Sequence, residues 1–340
     1  MSISRKHSLQ IVLGLLITML CLLIALWGIE MEQVRQSFLR ANYASLPIFL
    51  GLLFFFFWLK AIRWRLLLLP LRDFRTKEVV PSLMIGFMGN NVLPAHLGEL
   101  IRVFALAREF SLAKAAVLSS VVLERLLDTA VILIFLVMSF MLMETLPPWI
   151  ETGIPLMAVL AASTILLLAA SLFWTQPFIR AAQRVFSLLP PDLCKKLTDI
   201  MVAGALGLAS LRRAELAFWV VLTSILQWVL MVGMVYVSLW SFVLHLPPLA
   251  SFLIVGVTAL GVTIPSVPGF FGIVQLCFWV SLQLFGVEKA DAFASSIYFH
   301  LSQYLPVTLL GLYYLNRRGW QLRQIDKEAA EEKKSVLTDS

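Results

Sequence analysis

Charged and polar side chains crowd into two short segments of an otherwise apolar sequence. The first segment is Asn90-Asn91-Val-Leu-Pro94-Ala-His96-Leu-Gly98-Glu99-Leu-Ile-Arg102, and the second is Glu124-Arg125-Leu-Leu-Asp128. Ionisable groups within a membrane span cost on the order of 2.5–3.5 kcal/mol each, so they pair with one another and mark substrate pathways. Guanidinium groups bind phosphate oxygens through two parallel hydrogen bonds. The residue types therefore favour binding of a phosphate group.

The spacing of these charges places them on common helix faces. Arg102 follows Glu99 by three residues. Asp128 follows Arg125 by three residues and Glu124 by four, and such neighbours share one face of a helix. In one interpretation the two arginines bind a phosphate, while the three carboxylates orient them or meet a cationic head group. In the other, the five residues form a structural ion-pair network that fastens two segments together. The two roles are compatible.

Two apolar stretches are interrupted by proline and glycine, which free backbone polar groups at membrane depth. The first stretch breaks around Pro94 and Gly98, and the second breaks within Pro268-Gly269-Phe-Phe-Gly272. A helix that begins near either break would direct amide N–H groups and the positive end of its dipole toward an anion. The alternative is that these glycines only allow close helix packing.

An internal repeat relates the two halves of the chain. Phe110-Ser-Leu-Ala-Lys114-Ala115 matches Phe285-Gly-Val-Glu-Lys289-Ala290 at an offset of 175 residues, and the two breaks match at an offset of 174. The partner of the Glu124–Asp128 segment is the segment that contains His300 and Gln303. Inverted repeats whose broken helices meet near the membrane midplane are a transporter architecture, with the substrate site between the repeats. Chance alignment of two broken apolar stretches is the alternative.

The composition is that of a multi-pass membrane protein. Of the 340 residues, 60% are hydrophobic and 14% are charged, whereas a soluble domain is about 45–50% apolar and about 25% charged. This excludes a soluble globular enzyme, a disordered chain and a disulfide-stapled secreted domain. The three cysteines lie in separate segments without metal-site spacing. No nucleotide-binding or hydrolase motif is readable, so we expect no enzyme, no metal and no cofactor.

Six apolar segments reach the roughly 20 residues that cross a bilayer. They are Leu9–Ile29, Leu46–Leu69, Ala115–Met143, Ile154–Trp174, Leu216–Val243 and Ala292–Leu315. The halves of the two broken stretches, Val79–Phe110 and Leu249–Gly286, are short for a span. We expect each broken stretch to re-enter by the face from which it came. The predicted fold is all-α, with six spanning helices and two re-entrant broken helices in an inverted repeat.

The placement of basic residues sets the predicted orientation. With both termini cytoplasmic, 23 of the 27 Lys and Arg residues fall on the inner side, and these include Lys60, Arg63 and Arg102. The net charge of +7 then reflects membrane orientation, and we expect no nucleic acid to bind. The predicted division is a cytoplasmic N-terminus (1–8), one transmembrane domain (9–316, repeats about 9–143 and 154–316) and a charged cytoplasmic tail (317–340).

These motifs resemble the flippase half of the lysylphosphatidylglycerol synthase/flippase family. The resemblance rests on Pro94-x-x-x-Gly98-Glu99-x-x-Arg102, on Glu124-Arg125-x-x-Asp128 and on Pro268-Gly269-Phe-Phe-Gly272, and it covers about residues 9–316. It implies a multi-pass inner-membrane protein that moves lipids between leaflets, aminoacylated phosphatidylglycerol in the best-known members. It also implies that the charged residues of the first two motifs form the polar centre of the first repeat.

Two departures from the family pattern limit what the resemblance implies. Gln275 stands where we expect an acidic residue after the second break, which puts the charge of the second half-site in doubt. Little chain follows the last predicted span, so we expect no soluble synthase domain and no synthesis of aminoacyl lipid. The lipid that is moved is therefore left open.

The leading hypothesis is a lipid flippase or lipid transporter of the inner membrane. The alternative is a non-catalytic accessory subunit of a lipid- or glycan-synthesising enzyme. We expect membrane lipids as partners, with a second copy of the chain or a membrane enzyme as further candidates. The candidate substrate-binding residues are Asn91, Pro94, Gly98, Glu99, Arg102, Glu124, Arg125, Asp128, Pro268, Gly269, Gly272, Gln275, His300 and Gln303.

Overall fold

A computed structural model describes most of the apolar part of the chain. The described residues are 5–93, 96–143, 152–173, 213–264 and 268–319, with five isolated positions between 183 and 198. Within these ranges the backbone is helical, with short turns and no strand. Pro94, the first four residues and the tail beyond residue 319, on all of which predictions were made, lie outside the described residues.

The described ranges contain eleven α-helices. They are α1 (Arg5–Leu26), α2 (Met31–Arg40), α3 (Leu46–Leu68), α4 (Thr76–Val92), α5 (Leu97–Phe110), α6 (Lys114–Met141), α7 (Ile154–Phe173), α8 (Ala214–Ser241), α9 (Pro248–Gly261), α10 (Ile273–Leu282) and α11 (Lys289–Arg317). Proline occupies one of the first two helical positions of α3 and α9, where its missing N–H costs nothing. Each of the six segments predicted to span coincides with one of α1, α3, α6, α7, α8 and α11.

The helices have the length and apolarity of a membrane protein. Tyr43–Leu68, Ala214–Ser241 and Pro268–Phe285 are each long and apolar enough to cross a bilayer. The bent pair Leu16–Leu26 and Met31–Arg40, whose axes meet at 79°, would be a fourth crossing if it is one span. The all-α membrane architecture is therefore confirmed, while the number of six spans stays a prediction.

Both broken stretches form helical hairpins. Gly86 on α4 lies against Arg102 on α5, and Gly89 lies against Gly98, so these two helices run antiparallel. After α9, residues 262–272 connect to α10, which packs back against α9. His96 in the first break has a φ of 55°, in the left-handed region that residues other than glycine seldom adopt.

The second break also contains left-handed backbone. Gly269 and Gly272 have φ values of 78° and 86°, and Phe270 between them has a φ of 60°. Glycine adopts these angles without the steric penalty of a Cβ atom, which explains the two glycines of the Pro-Gly-Phe-Phe-Gly sequence.

The two halves of the chain pack in the same pairwise pattern. The central contact joins α3 to α8, and it is antiparallel because Asn42 donates its N–H to the Ser241 carbonyl (2.7 Å) while Arg63 reaches Ser224 (3.2 Å). Helix α6 packs on the α9–α10 hairpin of the other half, as α11 packs on α4. Each hairpin is therefore held by the last helix of the opposite half.

Candidate functional site

A cluster of buried charges joins α3, α5 and α6. Lys60 and Arg63, on α3, are 5% and 0% exposed. The Lys60 Nζ lies 3.2 Å from a carboxylate oxygen of Glu124, and the Arg63 Nη2 lies 2.8 Å from the same carboxylate. Arg102, on α5, donates to the other Glu124 oxygen at 3.0 Å. A single carboxylate on α6 therefore meets cations from two other helices.

Asp128 lies one helical turn further along α6 and is almost fully surrounded. It accepts hydrogen bonds from the Arg63 guanidinium (2.6 Å), the Gln227 amide (2.8 Å) and the Trp228 indole N–H (2.9 Å). Gln227 and Trp228 belong to α8, so the second half of the chain completes the coordination of this carboxylate. Loss of this carboxylate would leave its buried partners without a counter-charge, which is strongly destabilising.

Arg102 and Glu99 do not pair with each other, although they are three residues apart on one helix. Arg102 turns to Glu124 and lies over the ring of Trp64, with 5.2 Å between its guanidinium carbon and the ring centroid. Glu99 instead forms an ion pair with Arg125 on α6. Both ion pairs therefore connect α5 to α6, and they hold the first hairpin against α6.

Lys60, Arg63 and Arg102 were counted above among the basic residues of the inner side, and the side of the membrane on which they lie stays a prediction. All three are buried ion partners, so they add nothing to the surface charge that orients a membrane protein. The sequence signal for Lys60 and Arg63 was their spacing of three, which places both on one face of an apolar helix. Their position near the end of an apolar segment hid this signal.

A cavity of about 220 Å³ lies where the two breaks meet. His96 of the first break packs against Phe270 of the second, with 5.2 Å between ring centroids. Arg125 lines the cavity with a side chain that is 43% exposed, and its Nε has no hydrogen-bond partner within the described ranges. The other polar lining residues are Asn90, Asn91, His96, Trp228, Thr258, His300, Gln303 and Tyr304.

A family model described as the lysylphosphatidylglycerol synthase TM region matches residues 11–311 of this chain. The chain belongs to this family. Membership confirms the resemblance and indicates a lipid-related role in a membrane. Neither the curated proteins nor the solved structures contain a significant match.

In this member of the lysylphosphatidylglycerol synthase TM region family, the charged candidate residues fall into two groups. Arg102, Glu124 and Asp128 belong to the buried cluster and are absent from the described cavity lining. Arg125 lines the cavity, and Glu99 is its partner. The structure thus separates the residues to which the two interpretations of the sequence refer: the buried group joins helices through ion pairs, while Arg125 faces a cavity.

The second half of the site in this family member is uncharged within the described residues. Gln275 accepts the Gly272 N–H at 2.7 Å, and its amide nitrogen lies 3.3 Å from His300 Nδ1. His300 stacks on Phe271 with 4.5 Å between ring centroids. Gln275 therefore satisfies the N–H of Gly272, the residue that precedes α10, and contacts His300. Gln303 lines the cavity three residues further along α11.

The remaining candidate residues shape the backbone around the cavity. Gly98 lies so close to Gly86 and Asn90 that a Cβ atom would collide with their backbones, which is the packing alternative raised above. Gly269 is buried beside Tyr304 and the Asn91 carbonyl. The side-chain amide of Asn91 donates to Thr308 at 2.9 Å, and Pro268 is exposed. No cluster of metal-ligating side chains occurs in the described part of the chain.

Proposed function

We propose that this protein moves a phospholipid or a lipid-linked intermediate between the leaflets of the cytoplasmic membrane, with the lipid phosphate bound by Arg125. The observation that supports this is the position of Arg125: it is a half-exposed guanidinium in a cavity between two broken helices. Such a group is costly in a membrane unless its donors are satisfied, and the ion pair with Glu99 leaves the Arg125 Nε without a partner in the described residues. A phosphate matches its planar fork of donors.

The charge balance of the surrounding residues favours an anionic group. Within the described residues, four cations (Lys60, Arg63, Arg102 and Arg125) face three carboxylates (Glu99, Glu124 and Asp128). One positive charge is left without a counter-charge. Arg125 is paired with Glu99, so the excess belongs to the three buried cations on Glu124 and Asp128. Its positive field acts on the cavity next to Glu124 and attracts an anion there.

The buried cluster fixes the position of Arg125. Glu124 is the preceding residue on α6 and is held by Lys60, Arg63 and Arg102. The backbone of α6 is therefore fixed against α3 and α5 at this point. Arg125 needs little reorganisation when it binds a ligand, and this preorganisation increases affinity.

The size of the cavity limits what can enter it. A volume of about 220 Å³ lies below the ~300–1,000 Å³ of pockets that enclose a whole drug-sized ligand. A lipid head group is therefore the part that enters, while the acyl chains stay outside. Asn91, His96 and Gln303 offer hydrogen bonds to the rest of the head group.

The test is lipid translocation in liposomes that contain the purified protein. The panel holds head-labelled anionic, zwitterionic and aminoacylated lipids. We expect at least one class to move faster than in empty liposomes, and we expect Arg125→Gln to abolish the movement. Arg125→Lys keeps the charge but loses the bidentate fork, so it should also reduce the rate.

The matched control is Arg65→Gln, because Arg65 is 37% exposed, pairs with Asp73 and does not line the cavity. Its translocation rate should equal that of the wild type. Full activity in Arg125→Lys would contradict bidentate phosphate binding. If no lipid in the panel moves, the flippase proposal fails, and the search for a partner enzyme of an accessory subunit follows.

A further inference from the structure

An apolar groove runs along the outside of α3, α4 and α11. Its volume is about 390 Å³. Leu53, Leu83, Met84 and Val307 form its floor and are at most 5% exposed. The outer lining includes exposed residues such as Phe54 and Leu310. No charged side chain lines this groove within the described residues.

The groove adjoins the cavity that contains Arg125. Phe57 and Val307 line both, so the two spaces are separated by single side chains. The charged and most of the polar side chains of these two neighbouring spaces line the cavity, whereas the groove is lined almost entirely by apolar side chains.

Two residues of α11 explain why the groove exists. Gly311 lies directly against Met84 and Met88 of α4, so the two helices approach closely there. Pro306, which lines the groove, has no N–H and interrupts the hydrogen bonding of α11. Close contact at one point and a proline five residues earlier leave an open space between the helices.

We propose that this groove holds one acyl chain of the lipid whose head group occupies the Arg125 cavity. The inference rests on the proposed function and adds a second subsite to it. A phospholipid joins a charged head to apolar chains, and the two adjoining spaces have the same two characters. Because the cavity admits only the head group, the acyl chains stay outside it and need an apolar surface next to it.

The groove acts through shape rather than through hydrophobicity. An acyl chain gains no hydrophobic free energy when it moves from the bilayer to a protein surface, because both are apolar. Van der Waals contact with the buried floor is the remaining attraction. The groove therefore selects chains by length and branching, while the cavity selects the head group.

The experiment uses the full-length protein in nanodiscs with a photoreactive lipid. The probe is a phosphatidylglycerol with a diazirine on one acyl chain, and the comparison probe is a diacylglycerol with the same chain and no phosphate. After irradiation, mass spectrometry locates the cross-linked residues. We expect the phosphatidylglycerol to label the groove residues of α3, α4 and α11 several-fold more than the diacylglycerol does.

Two substitutions separate the groove from ordinary lipid contact. Leu310→Trp fills the groove from its rim and should reduce this labelling several-fold. Leu305→Trp, on the same helix, is the matched control, because Leu305 is 52% exposed and lines neither the cavity nor the groove. Arg125→Gln should reduce the phosphatidylglycerol labelling of the groove to the diacylglycerol level.

Equal labelling by the two probes, or equal effects of the two tryptophan variants, would overturn the groove as a subsite. Groove labelling that depends on Arg125, in a protein that moves no lipid in liposomes, would support the subsite and contradict the flippase proposal. The same samples thus distinguish failure of the one idea from failure of the other.

Discussion

Asp128 shows how a carboxylate is tolerated inside an apolar bundle. Its oxygens accept hydrogen bonds from an arginine, an amide and an indole, and the residue is 2% exposed. Removing one member of a buried ion pair leaves the others uncompensated, which costs more than the pair itself contributes. The stability of the fold therefore depends on this residue more than its single charge implies.

We expect Asp128→Asn to lower the free energy of unfolding by about 3–5 kcal/mol, as for other broken buried ion pairs. The measurement is thermal or denaturant unfolding in detergent. Asp73→Asn is the control, because Asp73 is 76% exposed and pairs with Arg65 at 3.2 Å; exposed pairs contribute about 0–1 kcal/mol. Similar small effects of both substitutions would mean that the buried cluster does not hold the helices together.

At the scale of residues, the sequence predicts well which side chains take part in ion pairs. It predicts less well which partner each of them has. The importance of Arg102 and Glu124 followed from charge in an apolar context. The pairing of Arg102 across to α6 did not, because the spacing of three to Glu99 offered a local partner. Lys60 and Arg63 were counted only as charges that set the orientation, because basic residues near the end of an apolar run usually have that role. Their ion pairs with α6 did not follow from the sequence.

Gly98 determines how closely the arms of the first hairpin approach. A Cβ atom there would overlap the Gly86 carbonyl and crowd Asn90. We expect Gly98→Ala to separate α4 from α5 and to displace Arg102 from Glu124. Size-exclusion chromatography after heating should show a lower melting temperature than for the wild type.

The control for this substitution is Gly51→Ala on α3, where a Cβ atom meets nothing within 4 Å. In a helix interior, replacing glycine by alanine is favourable by roughly 0.5–1 kcal/mol, so the control should be neutral or stabilising. A Gly98→Ala variant as stable as the Gly51→Ala variant would show that the hairpin has room to adjust.

At the scale of helices and breaks, apolar runs and Pro-Gly sequences predict most of what is observed. The interruption between α9 and α10 follows from Pro268 to Gly272, whose positive φ values only glycine adopts freely. The number of membrane crossings does not follow, because apolar length alone does not distinguish a crossing from one arm of a hairpin. Pro268–Phe285 is apolar enough to cross, yet α10 packs back against α9.

The whole molecule repeats one interaction in both halves. Lys114 lies over the ring of Phe104 at 4.7 Å, and Lys289 lies over the ring of Trp279 at 4.1 Å. Both lysines and both aromatic residues are related by the offset of 175 found in the sequence. A cation–π contact between a hairpin arm and the next helix is therefore a shared feature of the two repeats.

Inversion of the repeats predicts that these two lysines face opposite sides of the membrane. Single cysteines at positions 114 and 289, in a chain freed of its own three cysteines, should react with an impermeant maleimide from opposite sides. We expect label added outside intact spheroplasts to reach position 289 and not 114. Reaction of both positions from one side would contradict the inverted topology and the cytoplasmic location of both termini.

Lys289 also connects the beginning of α11 to the end of α1. Its ammonium group donates to the carbonyls of Ile24 and Trp27, each at 2.7 Å, and so completes the C-terminal end of α1. These contacts span up to 265 residues of sequence, which a ribosome needs tens of seconds to translate at about 5–20 residues per second. Helix α1 thus waits until the chain as far as Lys289 has been translated before it can make these contacts. Nascent chains stalled before Lys289 present an undocked α1 to the insertion machinery and to membrane proteases.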